Sequence, residues 1–361
     1  MNIDKVKEVL MKKPKVGGKA KRLSTGSTLL NLGITGDREF GFEEGQYILC
    51  VGDTNSGKTF EALACFAEAA INPGFDEHRL IFDNAENGAL MDMRFFFGDG
   101  VADRLEPPDV DGKGNPVYSR LIEDVFFNIN KATKDGRPFI YLLDSVDSTT
   151  SKADEKKFEE AEKAAAEGKE VKGDFGDGKA KVISRMLRRV VGQIERSRSI
   201  LIIINQTRDN IDGGLFAPKK TRSGGWALEF YAHVVMWTTM AGHLKKKVRG
   251  KDRELGIKSR VKIARSRLSG KMRMVEVPIY HSFGIDDVGS CVDYLLSEGC
   301  WKKNKGGVIT ATGIGPEIEG YREVIVKEIE DRNLEEDVRD LVQETWDEIE
   351  EACKVERKSR Y

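Results

Sequence analysis

The chain has 361 residues, a third of them charged, and its 59 Lys+Arg against 60 Asp+Glu leave a formal net charge of −1. That length allows one large domain plus a smaller one, and the near-cancelled charge removes any global pull toward nucleic acid or membrane. Five cysteines without CxxC spacing, four scattered histidines and no apolar run of membrane-spanning length argue against a zinc site, a disulfide framework, a signal peptide and a membrane partner, so a soluble cytoplasmic protein is expected.

Charge is nevertheless unevenly spread. Residues 1–22 are basic, with IDKVKEVLMK (3–12) patterned as a short amphipathic helix before a Gly/Lys/Pro linker. Glu317 to Glu351 is strongly acidic. A basic head with an acidic tail reads either as a tail competing with nucleic acid for a basic surface or as two solvated helical faces.

From residue 23 onward, apolar runs bounded by turn residues alternate with helical patterns. QYILCV (46–51) is strand-like and FEALACFAEAA (60–70) is helical. Between them GDTNSGKT matches GxxxxGK[ST], formed by Gly52, Asp53, Thr54, Asn55, Ser56, Gly57, Lys58 and Thr59. Its glycines let successive backbone N–H groups curl around phosphate oxygens, and the following helix adds its dipole. Lys58 then reaches the β- and γ-phosphates and the Thr59 hydroxyl binds Mg²⁺, so a nucleotide with Mg²⁺ is the expected ligand.

RLIFD (79–83) and FIYLLD (139–144) are the next strands. The second places Asp144 at a strand's carboxyl end, where open α/β sheets bind ligands and where an acid can hold Mg²⁺. In RLIFDNAEN, Glu86 can orient and deprotonate an attacking water; Asp83 competes for that role, and local sequence does not separate them. Residues 151–179 interrupt the pattern with a charged helix candidate and a Gly/Asp/Lys loop, a long polar insertion between core elements.

VISRMLRRVVGQIERS (182–197) is helical, and ILIIIN (200–205) reads as a strand buried on both faces. That strand ends in Asn205, Gln206, Thr207 and Arg208, for which a polar strand cap is the plain reading. HVVMWTT (233–239), SRVKIAR (259–265) and MVEVPIY (274–280) are further strands, and the run KKKVRGK (245–251) falls in a hairpin turn. Arg265 and Arg267 end a late strand. Such cations can neutralise charge developing on a γ-phosphate, although an exposed pair is by default solvated. Buried strands alternating with helices predict an α/β fold with a mostly parallel central sheet covered on both sides, and residues 285–361 a small C-terminal α/β domain with an acidic helical tail.

Taken in order, these motifs resemble the RecA recombinase family. LSTGSTLLNLGI (23–34) is similar to the family's entry into its core, GDTNSGKT to its phosphate loop, FDNAEN to its catalytic-glutamate segment and LLDSV (142–146) to its magnesium-aspartate strand. SRMLRRVVGQIERSRSILIIINQTR followed by SGGWALEFYA (223–232) is similar to its helix, Asn-Gln strand, DNA loop and Gly-Gly closing motif. RVKIARSRLSGK (260–271) resembles the strand whose paired cations reach a neighbour's ATP, and SCVDYLLSEGCWKKNKG (290–306) the start of the C-terminal domain.

The resemblance implies a P-loop ATPase core over 23–284, an oligomerisation arm over 1–22 and a C-terminal domain over 285–361. It favours Glu86 over Asp83 as the catalytic acid and gives Gln206 a γ-phosphate contact at the root of a DNA loop, 207–224. Arg208, Lys219, Lys220 and Arg222 then touch DNA phosphates, and Gly224 and Gly225 allow close backbone approach. The insertion to about residue 180 stands where the family has its first DNA loop, with Lys181, Ser184 and Arg188 on the helix after it. Phe230 matches a subunit-interface position. Single- and double-stranded DNA, further copies of the chain, and single-strand-binding and mediator proteins are the implied partners.

Several features depart from the family pattern. The segment before the core is short, the adenine-stacking tyrosine is replaced near Met93 and Arg94, the paired cations are Arg rather than Lys, and the first loop is enlarged. These suit a phage-encoded or otherwise divergent member. An ATP-dependent recombinase acting through a filament on single-stranded DNA is the leading expectation; a regulatory paralogue and a ring-forming helicase on the same core are the alternatives.

Overall fold

A computed structural model describes residues 19–86, 91–167, 177–209, 220–222 and 224–357. The expected helix at 3–12 and the loop parts 168–176 and 210–219 lie outside the described residues. The centre is a nine-stranded sheet. In chain order its main strands are β1 (Tyr47–Gly52), β2 (Arg79–Asp83), β3 (Phe139–Leu143), β4 (Ile200–Asp209), β5 (Val234–Val248), β6 (Lys251–Ser266), β7 (Arg273–Tyr280) and β8 (Gly284–Ile285). Across the sheet they run β8-β7-β6-β5-β1-β4-β3-β2, and a short strand, Lys220–Arg222, pairs with the end of β4. The five strands from β5 to β2 are mutually parallel; the β5, β6, β7 and β8 pairings are antiparallel.

Strand alternation explains why the sheet is covered twice. Successive side chains point to opposite faces, so an unbroken apolar run feeds two cores at once. Ile48, Cys50, Ile140, Leu142, Ile200, Ile202 and Ile204 enter one cluster, and Leu49, Val51, Tyr141, Leu143, Leu201 and Ile203 the other. The first face is closed by α1 (Thr28–Thr35) and α2 (Lys58–Ile71), with α3 (Met93–Arg104) against α2; the second by α4 (Ile122–Lys134) and α6 (Asp177–Arg196). The inserted α5 (Lys152–Ala166) forms the expected charged helix and contributes no buried residue.

The β5–β6 hairpin is longer than the sequence pattern suggests. Its outer half is exposed, so apolar alternation is lost there, yet the ladder continues through pairs such as Lys245↔Glu254 and Lys247↔Asp252. Arg249 (φ 51°) and Gly250 (φ 76°) make the turn, with the two positive φ values of a type I′ connection.

After α7 (Ala227–Tyr231), which precedes β5, the remaining helices are α8 (Asp287–Ser297), α9 (Arg322–Asp331) and α10 (Glu335–Ala352), beside a three-stranded antiparallel sheet. Their buried Val292, Leu295, Ile325, Val338 and Val342 join the same cluster as α1 and α2. Thr28 N and Oγ1 donate to Asp287 at 2.7 and 2.8 Å. The acids of α10 meet core cations: Arg38 reaches Glu336 at 3.0 Å and Asp340 at 3.1 Å, and Arg273 reaches Glu350 at 2.6 Å. The acidic stretch is therefore packed against the core through α9 and α10, with part of its charge committed there.

Candidate nucleotide and nucleic-acid site

β1 delivers the phosphate loop to the carboxyl edge of the parallel strands. Gly52 permits a close approach that no other residue would, because a Cβ there would lie 2.3 Å from the Thr238 carbonyl oxygen. Asn55 (φ 59°) and Gly57 (φ 98°) take left-handed conformations and turn the chain into α2. Lys58, the first residue of that helix, is buried; its Nζ donates to Asp53 O at 2.5 Å and lies 3.4 Å from Ser56 Oγ. Burial pushes the Lys58 ammonium below its ordinary range, while Asp144 and Asp53 pull it back.

Asp144 follows β3 and accepts a 2.6 Å hydrogen bond from Thr59 Oγ1. Burial raises its carboxyl, partly countered by Thr59 and Lys58 and reinforced by Glu86. The donor set fits a magnesium nucleotide: a turn of backbone N–H groups, a buried cation, and a hydroxyl and carboxylate in contact.

The two acids left open by sequence separate in space. Asp83 is buried and accepts from Ser119 N at 3.0 Å, Ser119 Oγ at 2.6 Å and Tyr141 OH at 2.6 Å, so its carboxylate is committed to the core. Glu86 stands at the cleft with Lys58, Thr59, Asp144 and Gln206. Its backbone N donates to Asp144 O at 2.8 Å, and its two carboxylate oxygens each accept from Gln206 Nε2 at 3.0 Å.

Gln206 lies near the carboxyl end of β4, which continues beyond the expected Asn205 into a ladder with Lys220–Arg222: Thr207↔Arg222, Arg208↔Thr221 and Asp209↔Lys220. Three hydrogen bonds there have no counterpart in the sequence pattern. Asp147, on the turn after β3, accepts from Asn205 Nδ2 at 2.9 Å and from Gln206 N at 2.5 Å, and Asp53 accepts from the Thr207 hydroxyl. Lys219 lies outside the described residues, and of Arg208, Lys220 and Arg222 only the backbone is described.

On α6, Lys181 and Arg188 are exposed with Ser184 half-buried between them, while Ile183, Leu187, Val190 and Ile194 face the core. Lys179 Nζ holds the start of this helix by donating to Val146 O at 2.5 Å and Thr149 O at 2.6 Å. Gly224 (φ 80°) and Gly225 (φ 77°) carry the chain from the ladder to α7. A Cβ on Gly224 would meet Leu228 Cδ1 at 2.5 Å, which explains the glycine there.

Arg265 and Arg267 are not brought to this chain's own phosphate loop. Arg265 pairs with Val235 near the amino end of β5, whereas Gly52 pairs with Thr238 further along it. Their guanidinium groups donate to α7 carbonyls, Arg265 Nη1 to Glu229 O at 2.7 Å and Arg267 Nη2 to Phe230 O at 2.9 Å, beside the exposed Trp226 and Phe230 rings.

The cleft, of about 590 Å³, has a second wall that sequence reasoning did not supply: Phe60, Met91, Met240, His243, Glu254, Ile257, Ile279 and His281. His243 Nδ1 lies 2.9 Å from Glu254 Oε1 across the hairpin. Met93 and Arg94, near which the resemblance has the adenine-stacking tyrosine replaced, begin α3. Arg94 is paired there with Asp99 and Asp103.

The family model described as the RecA N-terminal domain matches residues 161–286, a span holding α6, β4, the Gly-Gly turn and β5 to β7. Protein RecA of Bacillus pumilus (strain SAFR-032) is 28% identical over 272 residues, 72% of this chain and 68% of that protein. Protein RecA of Brucella suis (strain ATCC 23445 / NCTC 10510) and of Brucella canis (strain ATCC 23365 / NCTC 10854 / RM-666) are each 28% identical over 287 residues, 78% of this chain and 69% of theirs.

Proposed function

We propose that the chain is a member of the RecA family, which it resembles over residues 161–286 and in its 28% identity to RecA proteins, and that it is an ATP-dependent DNA recombinase whose grip on DNA is set by the nucleotide through Gln206. The observation that carries this reading is the Gln206 amide resting on both oxygens of Glu86 at the root of the ladder with Lys220–Arg222.

Lys58 binds the β- and γ-phosphates, and Thr59 and Asp144 hold Mg²⁺. When bound, the metal neutralises charge on the transferring phosphoryl group. Glu86 orients the attacking water and accepts its proton. Gln206 turns from Glu86 to a γ-phosphate oxygen, a contact a neutral amide makes without charge and gives up on hydrolysis. Asp144, Glu86 and Gln206 stand on the β3, β2 and β4 side of the phosphate loop; Ile257, Ile279 and His281 stand on the β6 and β7 side. On this reading the first group would serve the phosphates, and the second would be left for the nucleoside.

Arg265 and Arg267 act on the ATP of a neighbouring protomer, consistent with their distance along the strands from the chain's own loop. Lys181, Ser184, Arg188, Arg208, Lys219, Lys220 and Arg222 face the DNA, with the arm 1–22, core 23–284 and C-terminal domain 285–361 as the working divisions. Homologous duplex is then tested by base pairing within a helical filament.

The test is single-stranded DNA binding with a non-hydrolysable ATP analogue, with ADP and without nucleotide, together with negative-stain images. Tight binding and long filaments only with the analogue are expected, and Gln206→Ala should cut the nucleotide-dependent gain roughly tenfold, the worth of one hydrogen bond to a charged group. An unchanged gain in Gln206→Ala overturns the switch. Nucleotide-dependent binding without filaments points to the mediator reading, and closed rings to a helicase.

A further inference from the structure

The three residues where β4 leaves the nucleotide cleft are each held by a different carboxylate. Asp147 takes the side-chain amide of Asn205 and the backbone N–H of Gln206, Glu86 takes the Gln206 side chain, and Asp53 takes the Thr207 hydroxyl. Gln206 and Glu86 are among the residues lining the cleft; Asp53 and Thr207 are not.

Asp53 accepts hydrogen bonds through both its carbonyl and its carboxylate. Its carbonyl oxygen accepts from Lys58 Nζ at 2.5 Å, from Ser56 Oγ at 2.7 Å and from Ser56 N at 3.3 Å. Its carboxylate is taken by Thr207, and neither residue lines the cleft. An acid inside a phosphate loop would repel a triphosphate if it faced the ligand, and here the Thr207 contact holds it. Phosphate oxygens compete for the buried Lys58 ammonium with a full negative charge against a neutral carbonyl, and a pair of opposite charges adds a Coulomb attraction that a charge–dipole contact lacks. When the ammonium turns to phosphate, the Asp53 carbonyl keeps its two Ser56 donors but loses its charged one, which loosens the residue that carries the Thr207 contact.

Building on the functional reading above, we propose that Asp53 is a positioning residue that carries nucleotide occupancy from Lys58 to Thr207, a second path beside the one through Gln206. Thr207 is the first residue of the ladder, opposite Arg222, so both paths end on the same strand pair. One reads the γ-phosphate directly; the other reads where the lysine is. Two parallel contacts from one ligand to one strand make the response steeper than either alone, because both must change together.

The experiment uses the full chain and a fluorescent single-stranded oligonucleotide, with and without a non-hydrolysable ATP analogue, in wild type, Thr207→Val, Thr207→Ser, Gln206→Ala and the Gln206→Ala/Thr207→Val double variant. Thr207→Val is expected to reduce the ratio of the two DNA affinities roughly tenfold, by loss of a hydrogen bond to a charged acceptor. A fluorescent ATP analogue titrated in parallel reports nucleotide occupancy, so the two DNA affinities are compared at saturating analogue in every variant. Thr207→Ser, which keeps the hydroxyl, should retain the wild-type ratio, a rescue that a merely structural threonine would not need. Gln206→Ala should keep a residual response that the double variant lacks. A wild-type ratio in Thr207→Val, or complete loss of response in Gln206→Ala alone, overturns the Asp53 path while leaving the Gln206 switch standing. A wild-type chain whose DNA affinity ignores nucleotide brings down both.

Discussion

Glu61 sits on α2 beneath the phosphate loop, buried, with its Oε1 lacking a hydrogen-bond partner among the described residues. Desolvation raises its carboxyl to about 7, with Ser259 and Lys58 pulling it back. A group raised in the folded state contributes stability that is full below its unfolded pKa and is lost as pH rises through the folded one. Stability relative to Glu61→Gln should therefore decline between about pH 4.5 and pH 7, by on the order of 2–3 kcal/mol. Urea unfolding of both proteins at pH 5 and pH 8 measures this, and parallel curves would refute the assignment. The two acids near β2 make a second contrast. Asp83→Ala leaves Ser119 and Tyr141 donors unmatched in the core and should cost about 3 kcal/mol of stability. Glu86→Gln should change stability by less than about 0.5 kcal/mol yet abolish ATP turnover. A Glu86→Gln protein that still hydrolyses ATP with DNA would return the water-orienting role to another residue.

Among the elements, β6 and α7 carry the most consequential arrangement. Arg265 and Arg267 are tied to the carbonyls of α7 near the amino end of β5, while the phosphate loop emerges at the carboxyl end of its neighbour β1. A head-to-tail interface would set the arginines of one protomer against the cleft of the next. Arg265→Ala/Arg267→Ala and Lys58→Ala should each lose DNA-dependent ATPase activity. Mixed one to one, they should recover it in part, since roughly a quarter of randomly formed heterologous interfaces pair an intact loop with intact arginines. No recovery on mixing would place the arginines in service of their own chain or of another task.

At the scale of the whole molecule, the acidic C-terminal stretch is structural before it is anything else. Ile325, Ile329, Val338 and Val342 are buried in the cluster that also holds α1 and α2, and Arg38 and Arg273 bind acids of α10. Deleting residues 317–361 strips a face of the core, where each large apolar side chain is worth about 2–5 kcal/mol. The expected outcome is a sharp fall in melting temperature with no interpretable gain in DNA affinity. A truncated chain that melts like the full one and binds DNA more tightly would restore the free competing tail.

The local signals in this chain are strong. Glycine spacing in GDTNSGKT, unbroken apolar runs at β1, β3 and β4, and the amphipathic period of α6 each specify an element because backbone sterics and side-chain alternation act over a few residues. Which acid meets the cleft was not legible from its neighbours in sequence. Asp83 and Glu86 are three residues apart, and the difference lies in Ser119 and Tyr141 reaching one of them. Nor does anything near Asp53 in the chain announce Thr207, or anything near His243 announce His281; sheet order and the long hairpin bring them together. Contacts made across strand crossovers depend on register and twist of the assembled sheet, and no short window of residues contains that information.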